Sequence, residues 1–157
     1  MKSLVVYYTR TGTTRFVAQT IAAELGADLE EIVDLKKREG KLGWIIGGKD
    51  ASQKKLTKIA PLKRSPADYD LLVIGTPIWA WAPTPAVRTY ISQNDLTGKK
   101  VALFYTFGSD MKQAAERTKA LLTNANVVSE LPLVDPMGKK EETEQKIAEW
   151  CTLLKQF

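Results

Sequence analysis

The sequence predicts an α/β fold, one domain built on a doubly wound sheet of five parallel strands. Three observations point there. Five short β-rich runs alternate with helical patterns, the arrangement of βαβ units whose helices cover both faces of a parallel sheet. The first run leads into Thr9-Arg10-Thr11-Gly12-Thr13-Thr14, a hydroxyl-rich turn ahead of a helix. A length of 157 residues suits a single domain, 1–157, that can bury its own core without disulfides or metals.

The strands are expected at Leu4–Tyr8, Asp28–Val33, Leu71–Gly75, Val101–Thr106 and Val127–Leu131. The first helix follows the Thr-rich turn, with Val17, Ile21 and Leu25 at helical spacing and Gly26 placed to end it. A short helix after the third strand has Thr84 as N-cap, Pro85 at its first position, and Val87, Tyr90 and Ile91 inward. The next carries the stripe Met111, Ala114, Ala115, Thr118, Leu121 and Leu122, and the last runs from about Glu141 to Gln156 with Ile147, Trp150, Cys151 and Leu154 inward.

One stretch breaks the rhythm. Between Lys36 and Pro61 the apolar residues Leu42, Trp44, Ile45 and Ile46 cluster ahead of Gly47-Gly48 and many lysines, which predicts a loop holding a short helix. The net charge of +5 is local to this excursion: residues 36–64 hold ten Lys/Arg against two Asp/Glu. It reads either as a solvated face or as a docking surface for an acidic protein or an anionic membrane. Nucleic acid is not expected, because the segment matches no reading module and offers no series of stacking aromatics.

Composition narrows the chemistry further. The chain has no histidine, which disfavours Ser/His and Cys/His nucleophiles and most zinc sites; no metal site is expected. Its single cysteine, Cys151, reads as a buried apolar residue. The apolar run Leu4–Tyr8 is too short for a secretory signal, so a cytoplasmic location is expected.

Ligands of open parallel sheets bind beyond the carboxyl ends of the strands, where strand order reverses. Three segments end strands there. In Thr9–Thr14, backbone N–H groups at a helix start, hydroxyl donors and one glycine suit a dianionic phosphate. The segment has neither the Gly-x-Gly-x-x-Gly of a dinucleotide turn nor the lysine of a triphosphate loop. Thr76-Pro77-Ile78-Trp79-Ala80-Trp81, after Gly75, brings two indoles that suit a planar ring, or that cover the edge of the core. Thr106-Phe107-Gly108-Ser109-Asp110 adds a further glycine, an aromatic and an N-cap.

With these residues the chain resembles the flavodoxins over nearly its whole length: Thr9-x-Thr11-Gly12-x-Thr14 after strand one, Gly75-x-Pro77-x-Trp79 after strand three, and a glycine-bearing loop after strand four. The resemblance implies strand order 2-1-3-4-5 and flavin mononucleotide (FMN) as cofactor. It implies that Thr9 to Thr14 hold the phosphate, that Thr76, Pro77, Ile78 and Trp79 flank the flavin ring, and that Thr106 to Asp110 line its other side. The peptide that reorients on flavin reduction would be Ala80–Trp81. Neither residue is glycine, so φ > 0 is expected to be less accessible and the flip more costly. No tyrosine stands in the third loop as a second stacking ring, leaving Phe107 or Met111 in that role.

Three functions remain open. The leading one is an electron carrier in which no side chain is catalytic, docking an acidic redox partner near the flavin edge and the basic segment. The second is an FMN-dependent oxidoreductase acting on a quinone or porphyrinogen, with Trp44-Ile45-Ile46 touching a membrane or covering the substrate. The third is a flavin-free binding module of the same fold.

Overall fold

The computed structural model describes residues Met1–Phe157 and orders them as β1 (Ser3–Tyr7), α1 (Thr13–Leu25), β2 (Asp28–Glu31), α2 (Gly40–Ser52), β3 (Leu71–Trp79), β4 (Ala82–Pro83), α3 (Pro85–Gln93), β5 (Lys100–Phe107), α4 (Ala114–Lys119), β6 (Asn126–Val134) and α5 (Lys140–Leu154). The parallel sheet runs β2-β1-β3-β5-β6, and the short β4 pairs antiparallel with the end of β3. Numbered among the five parallel strands alone, that order is 2-1-3-4-5, as expected. Strand order reverses at β1, so the carboxyl ends of β1, β3 and β5 meet at one edge.

Period-two alternation sorts the strands onto two cores. Val5, Tyr7, Leu71, Val73, Ala102 and Phe104 face α1 and α5, where they meet Val17, Ile21, Ile147, Trp150, Cys151 and Leu154. Leu4, Val6, Leu72, Ile74, Leu103 and Tyr105 face the other way and pack on Val87, Tyr90 and Ile91 of α3. The expected inward stripes of α3 and α5 are therefore the observed ones. Burial pushes the Cys151 thiol up to about 12, which leaves it a packing residue with almost no thiolate at neutral pH.

Besides the unexpected β4, the shorter β2, which stops at Glu31, and the longer β6, which runs past Leu131 to Val134, three elements differ from expectation. First, β3 does not stop at Gly75 but continues to Trp79, remaining paired with β5 as far as Pro77↔Thr106. The partner β1 ends at the level of Gly75, so Pro77 lies where β3 has lost one neighbour and a missing N–H is tolerated. Second, the helix of the excursion is longer than expected: α2 spans 13 residues where the sequence predicts a loop holding a short helix. Third, α4 is trimmed to Ala114–Lys119, and Met111, Leu121 and Leu122 flank it as non-helical packing residues.

The excursion is anchored by charge. Arg38 donates to Asp34 at 2.7 Å and to Asp50 at 2.9 Å, and Lys36 donates to Asp50 at 2.6 Å. The backbone of Leu35 bonds Lys58 and that of Ala60 bonds Val33, closing the base of the segment. No helix is long and apolar enough to cross a membrane.

Candidate functional site

The first strand-ending turn is built around Gly12, whose φ of 101° is open to glycine and strained for other residues. Gly12 is the N-cap of α1, with no side chain bonded to the helix start and no acidic residue in the first turn. The first intrahelical bond runs from Phe16 N–H to Gly12 O, so the N–H groups of Thr13, Thr14 and Arg15 have no partner within the helix. Together with the helix dipole they form an anion site. Thr9, Arg10, Thr11, Thr13 and Thr14 line a pocket of about 260 Å³ over this helix start.

Within the turn the threonines have different duties. Thr9 Oγ1 accepts from Gly12 N–H at 3.0 Å, which holds the loop folded. Thr14 is buried, and its hydroxyl lies 2.8 Å from that of Thr106, tying the first loop to the end of β5. Thr11 is exposed and Thr13 half-buried, free to turn toward a ligand. Gly12 itself lies behind the pocket as its turn.

The second segment is a β-hairpin. Trp79 pairs with Ala82 across a two-residue turn, Ala80-Trp81, in which both residues have positive φ, 49° and 56°. Those signs define the type I′ turn that suits a twisted hairpin, a turn usually written with Asn-Gly. The chain adopts φ > 0 at both positions although neither residue is glycine, at a conformational cost that glycine would not meet. Arg117 supports the turn by donating to Trp81 O at 3.1 Å and reaching Ala80 O at 3.5 Å, and the Lys112 ammonium stands 4.0 Å over the Trp81 ring. Ala80→Gly is expected to raise stability by up to about 1 kcal/mol, since it relieves a left-handed alanine. A denaturant midpoint unchanged or lowered would show that the turn is not strained.

Ile78, Trp79, Ala80 and Trp81 form one wall of a second cavity of about 590 Å³, and Phe107, Gly108, Ser109 and Asp110 form the facing wall. The two cavities share Trp44, Ile78, Trp79, Phe107 and Gly108, so the anion site opens directly into an aromatic cleft. Trp79 is held edge-on to Tyr8 at 5.5 Å and 83°, and lies 5.7 Å from the Arg38 guanidinium. Burial, reinforced by the Asp34 charge, pushes the Tyr8 hydroxyl up to about 12, so the ring stays neutral.

Two sequence-predicted residues stand apart from the cleft. Thr76 is buried: its hydroxyl donates to Pro77 O at 2.8 Å and accepts from Thr84 N–H at 3.1 Å, bracing the hairpin instead of facing the ring space. Of the two substitutes for a third-loop tyrosine, Phe107 lines the cleft, while Met111 packs against the core behind it. Pro77 and Thr106, expected beside the ring, line the anion pocket instead of the aromatic cleft.

The cleft also takes in residues not named as cofactor ligands from the sequence. Trp44, Ile45, Gly48 and Lys49 of α2 close its outer side, and Asp135, Pro136 and Met137, after β6, border the anion pocket. The latter were findable, because that loop also ends a parallel strand. Asp135 is the pocket's only carboxylate, and its Oδ1 is turned back to accept from Gly138 N–H at 3.2 Å.

Fold and site together define a doubly wound domain in which an uncapped helix start opens into an aromatic slot. A family model described as flavodoxin matches residues 2–153, and the chain belongs to the flavodoxin family. A Bacteroides uniformis protein assigned as a flavoprotein is similar at 26% identity, covering 96% of this chain and 97% of that one with a TM-score of 0.82. A Lactobacillus acidophilus flavoprotein solved in complex with FMN is 22% identical over 89% and 97% of the two chains, with a TM-score of 0.73. A Fusobacterium nucleatum flavodoxin bound to FMN is 15% identical over 99% and 98%, with a TM-score of 0.62. No curated protein matches the chain.

Proposed function

We propose that this protein binds FMN and carries electrons between redox partners. The observation that carries the reading is the direct opening of a capless helix start into a cleft walled by indoles. The residues present fit the group. Free N–H groups of Thr13, Thr14 and Arg15, the Thr11 and Thr13 hydroxyls and the Arg10 charge suit the phosphate. Trp79 and the Phe107–Asp110 segment suit a planar ring. When bound, FMN supplies one- and two-electron redox chemistry. The chain's own residues would bind and orient it: the uncapped helix start would hold the phosphate, Trp79 would offer the ring a stacking surface, and the Ala80–Trp81 peptide, braced by Arg117, would stand beside the ring.

Titration with FMN and with riboflavin, followed by flavin fluorescence, tests the assignment. FMN is expected to bind about 100-fold more tightly, the worth of roughly two charge-assisted hydrogen bonds. Equal affinity would remove the phosphate from the helix start, and no quenching by either flavin would end the reading.

A second reading, an FMN-dependent oxidoreductase acting on a quinone, is favoured by one observation: Trp44 and Ile45 leave the cleft mouth apolar and open, 63% and 59% exposed. Steady oxidation of NAD(P)H by a quinone with the FMN-loaded protein would support it. Absence of turnover with quinones and porphyrinogens favours the carrier.

A further inference from the structure

Helix α2 is built inside out. The residues it turns inward are Gly43, Gly47, Asp50 and Ala51, while Leu42, Trp44 and Ile45 stand outward, the first of them 70% exposed. Close contact demands the glycines: a Cβ on Gly43 would meet the Arg38 backbone at 2.2 Å, and one on Gly47 would meet the Trp79 ring at 2.8 Å. Packing thus explains why the inner face is small. It does not explain why the outer face is large and apolar, the reverse of a helix that serves a core. Leu35 and Leu56, on the strand-like segments flanking the helix, are exposed as well. Single exposed apolar residues are ordinary, but a concentration of them marks a surface that something covers.

The exposed charge around these side chains is positive but for Glu39, the N-cap residue of α2. Of the two acidic residues in 36–64, Asp50 is buried and bonded to Lys36 and Arg38. Lys37, Lys41, Lys49, Lys54 and Lys58 are exposed. We propose that α2 is an interfacial helix that docks this protein onto an anionic lipid surface, Leu42, Trp44 and Ile45 entering the headgroup boundary with lysines held at the lipid phosphates.

Residue type separates a lipid from a protein partner. Eight of the ten cations in 36–64 are lysine, which protein interfaces deplete in favour of arginine, tyrosine and methionine. Lysine instead suits a bilayer, where its stem lies along apolar surface while its head stays at the phosphates. Trp44, Ile45 and Lys49 also border the aromatic cleft, and Lys41 shares a shallow pocket with Arg10, Trp44 and Ile45. Docking through α2 therefore turns the cleft mouth to the membrane. The inference stands on the helix alone and holds with or without a flavin.

Sedimentation of the full chain with vesicles of phosphatidylcholine, alone or mixed with phosphatidylglycerol, tests it. The protein is expected to pellet with the anionic vesicles only, and to be released as salt is raised. The double variant L42D/I45D should lose binding, and K41E/K49E should weaken it about tenfold or more. These side chains point outward, so the melting temperature should hold; if L42D/I45D unfolds, K41E/K49E decides. No binding to anionic vesicles, or binding unchanged in K41E/K49E, overturns the proposal. Retention on poly-glutamate without vesicle binding also overturns it and assigns the face to an acidic protein.

Discussion

Replacing Arg38 with methionine is expected to cost about 3–5 kcal/mol of stability at neutral pH, and to make the loss smaller on mild acidification. The guanidinium lies between Asp34 and Asp50, and all three side chains are 5% exposed or less. Removing it leaves two buried carboxylates with Lys36, the Thr57 hydroxyl and the more distant Lys55 ammonium at 3.7 Å for partners. In the native protein burial pushes the Asp50 carboxyl up, but hydrogen bonds from Lys36 and Arg38 outweigh it and hold the group below the usual carboxylate range. A carboxyl depressed in this way contributes stability above its unfolded value, near pH 4, and loses it as pH falls through the folded value. Without the guanidinium, burial is opposed only by Lys36 and the more distant Lys55, so the carboxyl is expected to rise and stability to return as it protonates. Urea unfolding at pH 7 and pH 5 checks this. The gap between native and variant should narrow at pH 5, and an equal gap at both would show that the carboxylates are not stranded.

Gly75→Ala should cost about 3 kcal/mol, the upper end for overpacking, and lower the melting temperature by about 6–12 °C in a domain of this size. A Cβ there would lie 1.9 Å from Phe104 Cζ and within 2.5 Å of both Cε atoms. Phe104 is fully buried, so its ring has nowhere to go. Pairing the change with Phe104→Leu should return part of the loss. Thermal melts of the four proteins measure the coupling, and simple additivity would mean that the ring moves aside freely. Gly75 is also where β3 leaves its two-sided pairing and runs on to Trp79, so this contact fixes the base of the cleft wall.

Much of this was legible in the residues. The parallel sheet showed because its strands are β-rich and bounded by turn residues, and α5 because Ile147, Trp150, Cys151 and Leu154 keep helical spacing. The open start of α1 showed because a hydroxyl-rich stretch with one glycine stands between strand and helix. The hairpin did not. Ala-Trp carries none of the Asn-Gly signal of a type I′ turn, and Pro77 argues against the strand that contains it. Helix α2 was underestimated because Gly40, Gly43, Gly47 and Gly48 depress helix propensity, whereas close packing on Arg38 and Trp79 is what selects Gly43 and Gly47. Thr76 looked like a ligand for want of any sequence signal that its hydroxyl serves Thr84 N–H.

Trp79 is the residue on which these contacts converge. Tyr8 abuts its edge, Gly47 leaves room for its ring, Arg38 stands by its face, and Ala82 secures its backbone. An indole so confined has surrendered its rotamer freedom before any ligand arrives. The penalty of about 0.5–1.5 kcal/mol for immobilising such a side chain on binding is thereby met during folding. Changes at Tyr8 or Gly47, residues that need touch no ligand, would hand that conformational entropy back and make the stacking surface a moving one.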